Sequence, residues 1–230
     1  MTDNLTQWYL IRNEIDPKII GKVNARQSLK MTEGYDYGDQ NSVWNIARQD
    51  FTDSDFLKTN FEKIELCSGA IYTDLISSMA INSYYVLVIS NSFKTFLENV
   101  KMPPKFFKQV KVVHPKLNIE LNYNTFYMNN QYDIIDFRKS EFIINKTFEP
   151  GETGEICRFK DEGELKLFLK EKTWRISIKP VNLILRTEGD FFRIKAFGGY
   201  FISEELKKEI EHQNLTGISF EPAENVFVGY

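Results

Sequence analysis

Short apolar segments with two different periods follow one another along the chain. Apolar and polar residues alternate over 119–127, which is the period of a strand with one buried face. Residues 85–89 form a continuous, mostly β-branched apolar run that is typical of a buried strand. In 162–172 the apolar residues recur at helical spacing, which predicts an amphipathic helix. Strands and helices are therefore mixed along the sequence.

The same patterns predict further strands and a helical turn on both sides of these segments. Strands are expected at 8–11, 110–113, 174–178, 183–187, 191–197 and around 218–220, and a short helical turn at 73–76. The Glu188-Gly189-Asp190 segment has the composition of a hairpin loop between two of these strands. The predicted fold class is α+β, with a mixed or antiparallel sheet, or sheets, and a few short flanking helices.

Two stretches, 88–98 and 201–211, repeat one local pattern of strand, serine, helix and returning strand. They coincide at Ile-Ser, at a Lys four residues after the Ser and at a Glu eight residues after it. Serine is a favoured N-cap residue, so Ser90 and Ser203 are predicted to begin helices. Either the pattern is a repeated unit, or the two stretches coincide because this combination is common.

Length and composition describe an ordinary globular chain. Its 230 residues are 42% apolar and 27% charged, and we expect residues 1–230 to form a single domain. Within it, residues 31–55 sustain no period, and residues 1 to about 65 are predicted either to join the main body or to form an irregular N-terminal lobe. No apolar run approaches the roughly 20 residues of a membrane span, and no signal sequence precedes the first strand, so a cytoplasmic protein is expected.

The chemistry of an enzyme is poorly represented. The two histidines, His114 and His212, fit a strand end and the last turn of a helix. Asp133 and Asp136 are three residues apart, which in a strand or turn directs their side chains to different faces. Cys67 and Cys157 have no second cysteine nearby in the sequence, which favours buried thiols over a disulfide bridge or a metal site. We therefore expect no enzyme, no cofactor and no metal; a hydrolase centred on Asp133, Asp136 or His114 remains a minor alternative.

An acidic and aromatic stretch is the main prediction for a binding surface. Residues 33–65 contain eight acidic residues and only three basic ones. Tyrosine gives contact area at low entropic cost, and an acidic surface attracts a basic partner. The other interpretation is a solvated loop region with some core aromatics. The predicted partner-binding residues are Tyr35, Asp36, Tyr37, Asp39, Asp50, Asp53 and Asp55.

A basic stretch supports an alternative function. Residues 94–116 hold six lysines and one acidic residue, Glu98. Phenylalanines are interspersed among the lysines, as in some nucleic-acid-binding surfaces. The phenylalanines also have the spacing of core residues, with the lysines on the wet side. Nucleic-acid binding through this stretch is thus the less favoured prediction.

Several segments together resemble a known family. They are Gly69 to Ile76, Val86 to Leu97, Tyr132 to Phe142, Phe201 to Leu206 and Leu215 to Pro222. Over about residues 65–222 the chain resembles immunity protein family eleven of bacterial polymorphic toxin systems. The resemblance implies a cytoplasmic antidote that binds and neutralises a cognate toxin, the C-terminal module of a secreted protein, by occlusion. It implies no catalytic residues.

The acidic stretch can be tested directly by charge reversal. Replacing Asp36, Asp39, Asp53 and Asp55 with Lys should weaken binding of a basic partner mainly by slowing association, because opposite charge accelerates encounter. Stopped-flow or surface-plasmon kinetics at low salt measure this rate. Unchanged kinetics at low salt would exclude the stretch from the surface.

Overall fold

The computed structural model describes residues 7–28, 30–31, 53–59, 61, 63–78, 86–146, 154–171, 176–187 and 189–229. The strands are β1 Trp8–Asn13, β2 Lys30–Met31, β3 Lys63–Glu65, β4 Leu75–Ile76, β5 Val86–Ile89, β6 Lys105–His114, β7 Ile119–Met128, β8 Glu141–Lys146, β9 Glu155–Cys157, β10 Ile176–Leu185, β11 Phe191–Ile194, β12 Gly199–Ser203, β13 Ile218–Pro222 and β14 Val226–Val228. The helices are α1 Pro17–Ile20, α2 Asp53–Lys58, α3 Asn91–Glu98, α4 Glu162–Glu171 and α5 Glu204–His212, with 3₁₀ turns at Tyr132–Ile134 and Lys195–Phe197.

The strands form three sheets. One has six strands in the order β2-β3-β6-β7-β5-β4, and two have four, in the orders β11-β12-β1-β13 and β14-β10-β8-β9. Nearly all neighbours are antiparallel; β3 with β6 and β10 with β14 are parallel. The predicted α+β class, with mixed sheets and short flanking helices, is confirmed.

The long hairpin of β6 and β7 is the centre of the six-stranded sheet. Its register runs from Lys105 opposite Met128 to His114 opposite Ile119. The alternating pattern that predicted β7 holds only in part, because Ile119 and Leu121 near the hairpin tip are 43% and 40% exposed. Burial of β7 begins at Tyr123, because residues 124–127 pair with β5 and helix α3 contacts the strand.

The predicted hairpin between 183–187 and 191–197 is wrong. Residues 176–185 form one strand, β10, which pairs with β8 and β14, while β11 pairs with β12 in another sheet. All four residues of β11 are buried although the strand ends its sheet, because Phe191 and Phe192 belong to two different cores. In β10 the register shifts next to Pro180, which accommodates a residue that has no N–H to donate.

The helical turn expected at 73–76 is also absent. Leu75–Ile76 is instead strand β4, which pairs antiparallel with β5 through Leu75 opposite Ile89. The Leu75 N–H donates to the Thr216 carbonyl at 3.0 Å, so the segment is extended between two distant parts of the chain. Tertiary pairing overrides the weak local preference.

Both predicted serine caps are confirmed. Ser90 and Ser203 have extended backbones, and each side chain accepts a hydrogen bond from the N–H three residues later, at 3.1 Å from Phe93 and 3.2 Å from Leu206. Each helix then buries two residues one turn apart, Phe93 with Leu97 in α3 and Leu206 with Ile210 in α5. All four belong to one hydrophobic core, so the two serine-capped helices share an interior.

Asp74 joins these two units. The Ser90 hydroxyl donates to Asp74 Oδ1 at 2.6 Å, so the residue that caps α3 is itself held by a carboxylate. The other oxygen, Oδ2, accepts from the backbone N–H and the hydroxyl of Thr216, at 2.8 and 2.9 Å, in the turn after α5. Charge-assisted hydrogen bonds of this kind are roughly twice as strong as neutral ones. We call this set of contacts the Asp74 junction.

Gly217 allows the close approach at the Asp74 junction. Its φ of +79° lies in the left-handed region, and a Cβ there would lie 2.3 Å from the Leu75 carbonyl oxygen and 2.5 Å from Thr73 Oγ1. No other residue type fits without moving the turn away from β4.

Gly217→Ala should therefore lower the free energy of unfolding by about 2–5 kcal/mol, since it adds backbone strain and a backbone clash. Chemical denaturation measures the loss. Gly189→Ala is the matched control, because a Cβ there meets its nearest atoms at 3.5 Å or more, and it should change stability by less than about 1 kcal/mol. Equal stability of the two variants would contradict this account of Gly217.

Candidate functional site

The two serine-capped helices line a cleft with a volume of about 520 Å³, a size typical of ligand-binding clefts. Helix α3 and the residues after it form one wall, and α5 with Asp190 forms the other. Phe96, Val100 and Leu206 give the cleft an apolar part. The full lining is Ser92, Thr95, Phe96, Asn99, Val100, Lys101, Asp190, Glu205, Leu206, Glu209 and Gln213.

The cleft is negatively charged. Asp190, Glu205 and Glu209 line it against one base, Lys101, which leaves two unbalanced negative charges. Ser203 donates its N–H to the Asp190 carbonyl at 2.9 Å, which fixes Asp190 beside the start of α5. Within the parts of the chain that the structure describes, no basic side chain pairs with the carboxylates of Asp190, Glu205 or Glu209.

The other carboxylates of α5 form ion pairs within the helix. Glu204 pairs with Lys208 at 3.0 Å and Glu211 with Lys207 at 3.1 Å, both across one helical turn. Glu205, by contrast, has Glu209 one turn later, and two like charges at this spacing destabilise a helix. The unpaired negative charge of α5 thus lies on the side that lines the cleft.

The predicted partner-binding residues fall on a different part of the sequence. Tyr35, Asp36, Tyr37, Asp39 and Asp50 lie outside the described residues. Asp53 and Asp55 belong to helix α2, and their side chains are likewise outside the description. This binding surface stays a prediction. The acidic cleft was not predicted, although the Glu-Glu-x-x-x-Glu spacing at 204–209 was a signal for it.

The lysine stretch serves the fold. Lys105 donates to the carbonyls of Leu97 and Val100 at the end of α3, and Lys108 donates to those of Leu57 and Thr59 at 2.6 and 2.7 Å. Partial burial lowers the pKa of both lysines, with Glu98 opposing the shift at Lys105.

Two further lysines of this stretch pair with carboxylates: Lys94 with Glu98, and Lys111 with Glu120. The phenylalanines beside them have the core role that their spacing indicated. Phe93 is fully buried, and Phe96, Phe106 and Phe107 pack against the cores. The arrangement therefore adds no support to nucleic-acid binding.

The histidines have structural positions. His114 is 3% exposed, with Nε2 3.2 Å from the Ala70 carbonyl oxygen and Nδ1 accepting from the Leu117 N–H at 3.3 Å. Both ring nitrogens are thus occupied by backbone groups, and neither is available to a substrate. His212 lies exposed in the last turn of α5.

Asp133 and Asp136 do not form a catalytic pair. Asp133 is exposed, whereas Asp136 is buried and forms an ion pair with Arg186 at 2.8 Å. Arg186, which directly follows β10, reaches Asp136 because Leu185 forms a bridge with Ile135. The hydrogen bond from Arg186 is the main cause of the lowered pKa of Asp136.

Residues that bind metals are dispersed. Over the described ranges, no three His, Cys, Asp or Glu residues come close enough to hold a metal ion. Cys67 and Cys157 form no disulfide bond, and each is partly buried. No helix in the described part of the chain is long and apolar enough to cross a membrane.

Comparison with known families assigns the chain. The model of the Imm11 immunity protein family matches residues 67–225, which is more than half of the sequence. The chain belongs to the Imm11 immunity protein family. The matched residues include the Asp74 junction, both serine caps and every residue that lines the cleft. No curated protein matches the sequence. The resemblance seen in the sequence is thus confirmed.

A structural role for Asp136 predicts a pH-dependent loss of stability on substitution. Asp136→Asn removes a buried ion-pair partner and should lower the free energy of unfolding at pH 7 by about 1–3 kcal/mol. Because the folded-state pKa of Asp136 is lowered, its contribution is present above the unfolded pKa of about 3.9 and lost as pH falls through the folded value. The difference between wild type and variant should therefore shrink below about pH 4.

Urea denaturation at pH 7 and pH 3 measures both effects. The control is Asp133→Asn, which changes an exposed residue of the same type in the same segment and should have an effect within about 0.5 kcal/mol. A variant effect that does not depend on pH would contradict the ion-pair explanation.

Proposed function

We propose that this protein is a cytoplasmic immunity protein that binds a cognate bacterial toxin and neutralises it by occlusion. Membership of the Imm11 immunity protein family is the observation that carries the proposal. The toxin would be the C-terminal module of a secreted protein. Neutralisation requires a preformed surface that covers the toxin's active site or substrate groove, and it requires no chemistry from the immunity protein.

The cleft between α3 and α5 supports this mechanism. Its walls are two helices that directly follow strands β5 and β12, and they are held to each other through a shared core and the Asp74 junction. A rigid surface loses little conformational entropy on binding, which favours tight association. Lys105, which bonds to the carbonyls at the end of α3, further fixes that wall.

The acidic and aromatic stretch that includes Tyr35, Asp36, Tyr37, Asp39, Asp50, Asp53 and Asp55 is proposed as a second contributor to the surface. Its charge has the same sign as that of the cleft. Acidic groups at both places would attract the same basic partner. Toxins that cut nucleic acid are often basic.

The experiment is a stoichiometric titration against the toxin module. The module is identified by co-purification from the native host and by its gene, which we expect immediately upstream. Occlusion predicts that toxin activity falls linearly with added protein and reaches zero at a fixed molar ratio. Catalytic inactivation would instead abolish activity at a small fraction of that ratio, with time.

A toxin that is unaffected by a molar excess of this protein would exclude the proposed function. Recovery of toxin activity after denaturation and removal of the immunity protein is the further check, because occlusion leaves the toxin chemically intact.

A further inference from the structure

We infer that the cleft between α3 and α5 receives basic side chains of the toxin, arginine above all, with Glu205, Glu209 and Asp190 as their partners. The inference rests on the proposed function, because the occupant is a segment of that toxin. It adds which face of the immunity protein binds and what chemistry the toxin must present.

The first argument is how charge is distributed on α5. Four glutamates of this helix divide into two kinds: Glu204 and Glu211 form ion pairs along the helix, and Glu205 and Glu209 line the cleft as a like-charged pair one turn apart. Such a pair costs stability in the free protein. A cation placed between the two carboxylates would remove that repulsion and replace it with attraction.

The second argument is the match between the cleft and a long basic side chain. Arginine and lysine carry an apolar stem with a charged end, and they pack the stem on apolar surface while the end reaches polar groups. Phe96, Val100 and Leu206 supply the apolar surface, and the carboxylates lie beside it. Arginine fits best, because its planar guanidinium donates two parallel hydrogen bonds to a carboxylate.

The third argument is that no basic side chain among the described residues pairs with the three carboxylates of the cleft. Lys207 and Lys208 are the nearest bases on the same helix, and both are engaged with Glu211 and Glu204. Lys101 lies at the cleft and offsets one of the three charges. The remaining two negative charges are available to attract a basic segment of the toxin.

The test compares two double variants with the same change in net charge. Glu205→Gln with Glu209→Gln alters the cleft, and Glu204→Gln with Glu211→Gln alters the paired glutamates of the same helix. All four side chains are at least partly exposed, so both variants should fold. The probe is the toxin module, and biolayer interferometry at about physiological salt, near 0.15 M, gives both rate constants.

The cleft variant should weaken binding about tenfold or more, mainly through faster dissociation, because partners of buried charge pairs act on that rate. The control variant should change affinity by no more than about twofold, because rim charges act weakly and chiefly on association. Equal effects of the two variants, or no effect of the cleft variant on a complex that the wild type forms, would overturn the inference and leave the proposed function standing. A wild-type protein that forms no complex with the toxin module would overturn both.

Discussion

The carboxylate of Asp74 is the interaction on which the arrangement of the molecule depends. One of its oxygens holds Ser90, which caps helix α3, and the other holds Thr216, which follows helix α5. Asp74 and Thr216 are 142 residues apart in sequence. A single side chain thus fixes the start of one helix relative to the end of the other, and Gly217 makes the required approach sterically possible. This contact and the core that the two helices share hold together the two helices that line the cleft.

The junction also connects three of the segments on which the family resemblance was based. The Thr-Asp-Leu-Ile segment, the Ile-Ser segment before α3 and the Leu-Thr-Gly-Ile segment after α5 look like unrelated fold-forming motifs in the sequence. In the structure the first segment supplies Asp74, and the second supplies Ser90, whose hydroxyl donates to Asp74. The third supplies Thr216 and Gly217. Their shared purpose is one hydrogen-bonded junction, and the surface that it fixes carries the charge pattern proposed to bind the toxin.

Much of the fold was accessible from the sequence, because caps and periods are local. The serines before α3 and α5 and the apolar residues one turn apart identified both helices. Two errors have one cause, because both depend on strand pairing that local preference does not show. Leu75–Ile76 is an extended segment paired with β5, and β11 pairs with β12 instead of with the preceding strand β10. The bulge at Pro180, which merges two predicted strands into β10, likewise depends on pairing with β8.

The cleft was not accessible, since α3 and α5 approach only through long-range contacts. Glu205 and Glu209 are visible in the sequence, but an acidic residue in a first helical turn, such as Glu205, is already explained by the helix dipole. Their significance appears only once the other glutamates of the helix are seen to be paired. For the acidic stretch at residues 33–55, sequence remains the basis of the proposal.

A structure of the complex between this protein and its toxin module tests the central claim most directly. The account predicts that the complex buries the faces of α3 and α5 that line the cleft, with a basic side chain of the toxin between Glu205 and Glu209. A complex in which the cleft stays open to solvent, with the toxin bound on another face of the protein, would contradict it.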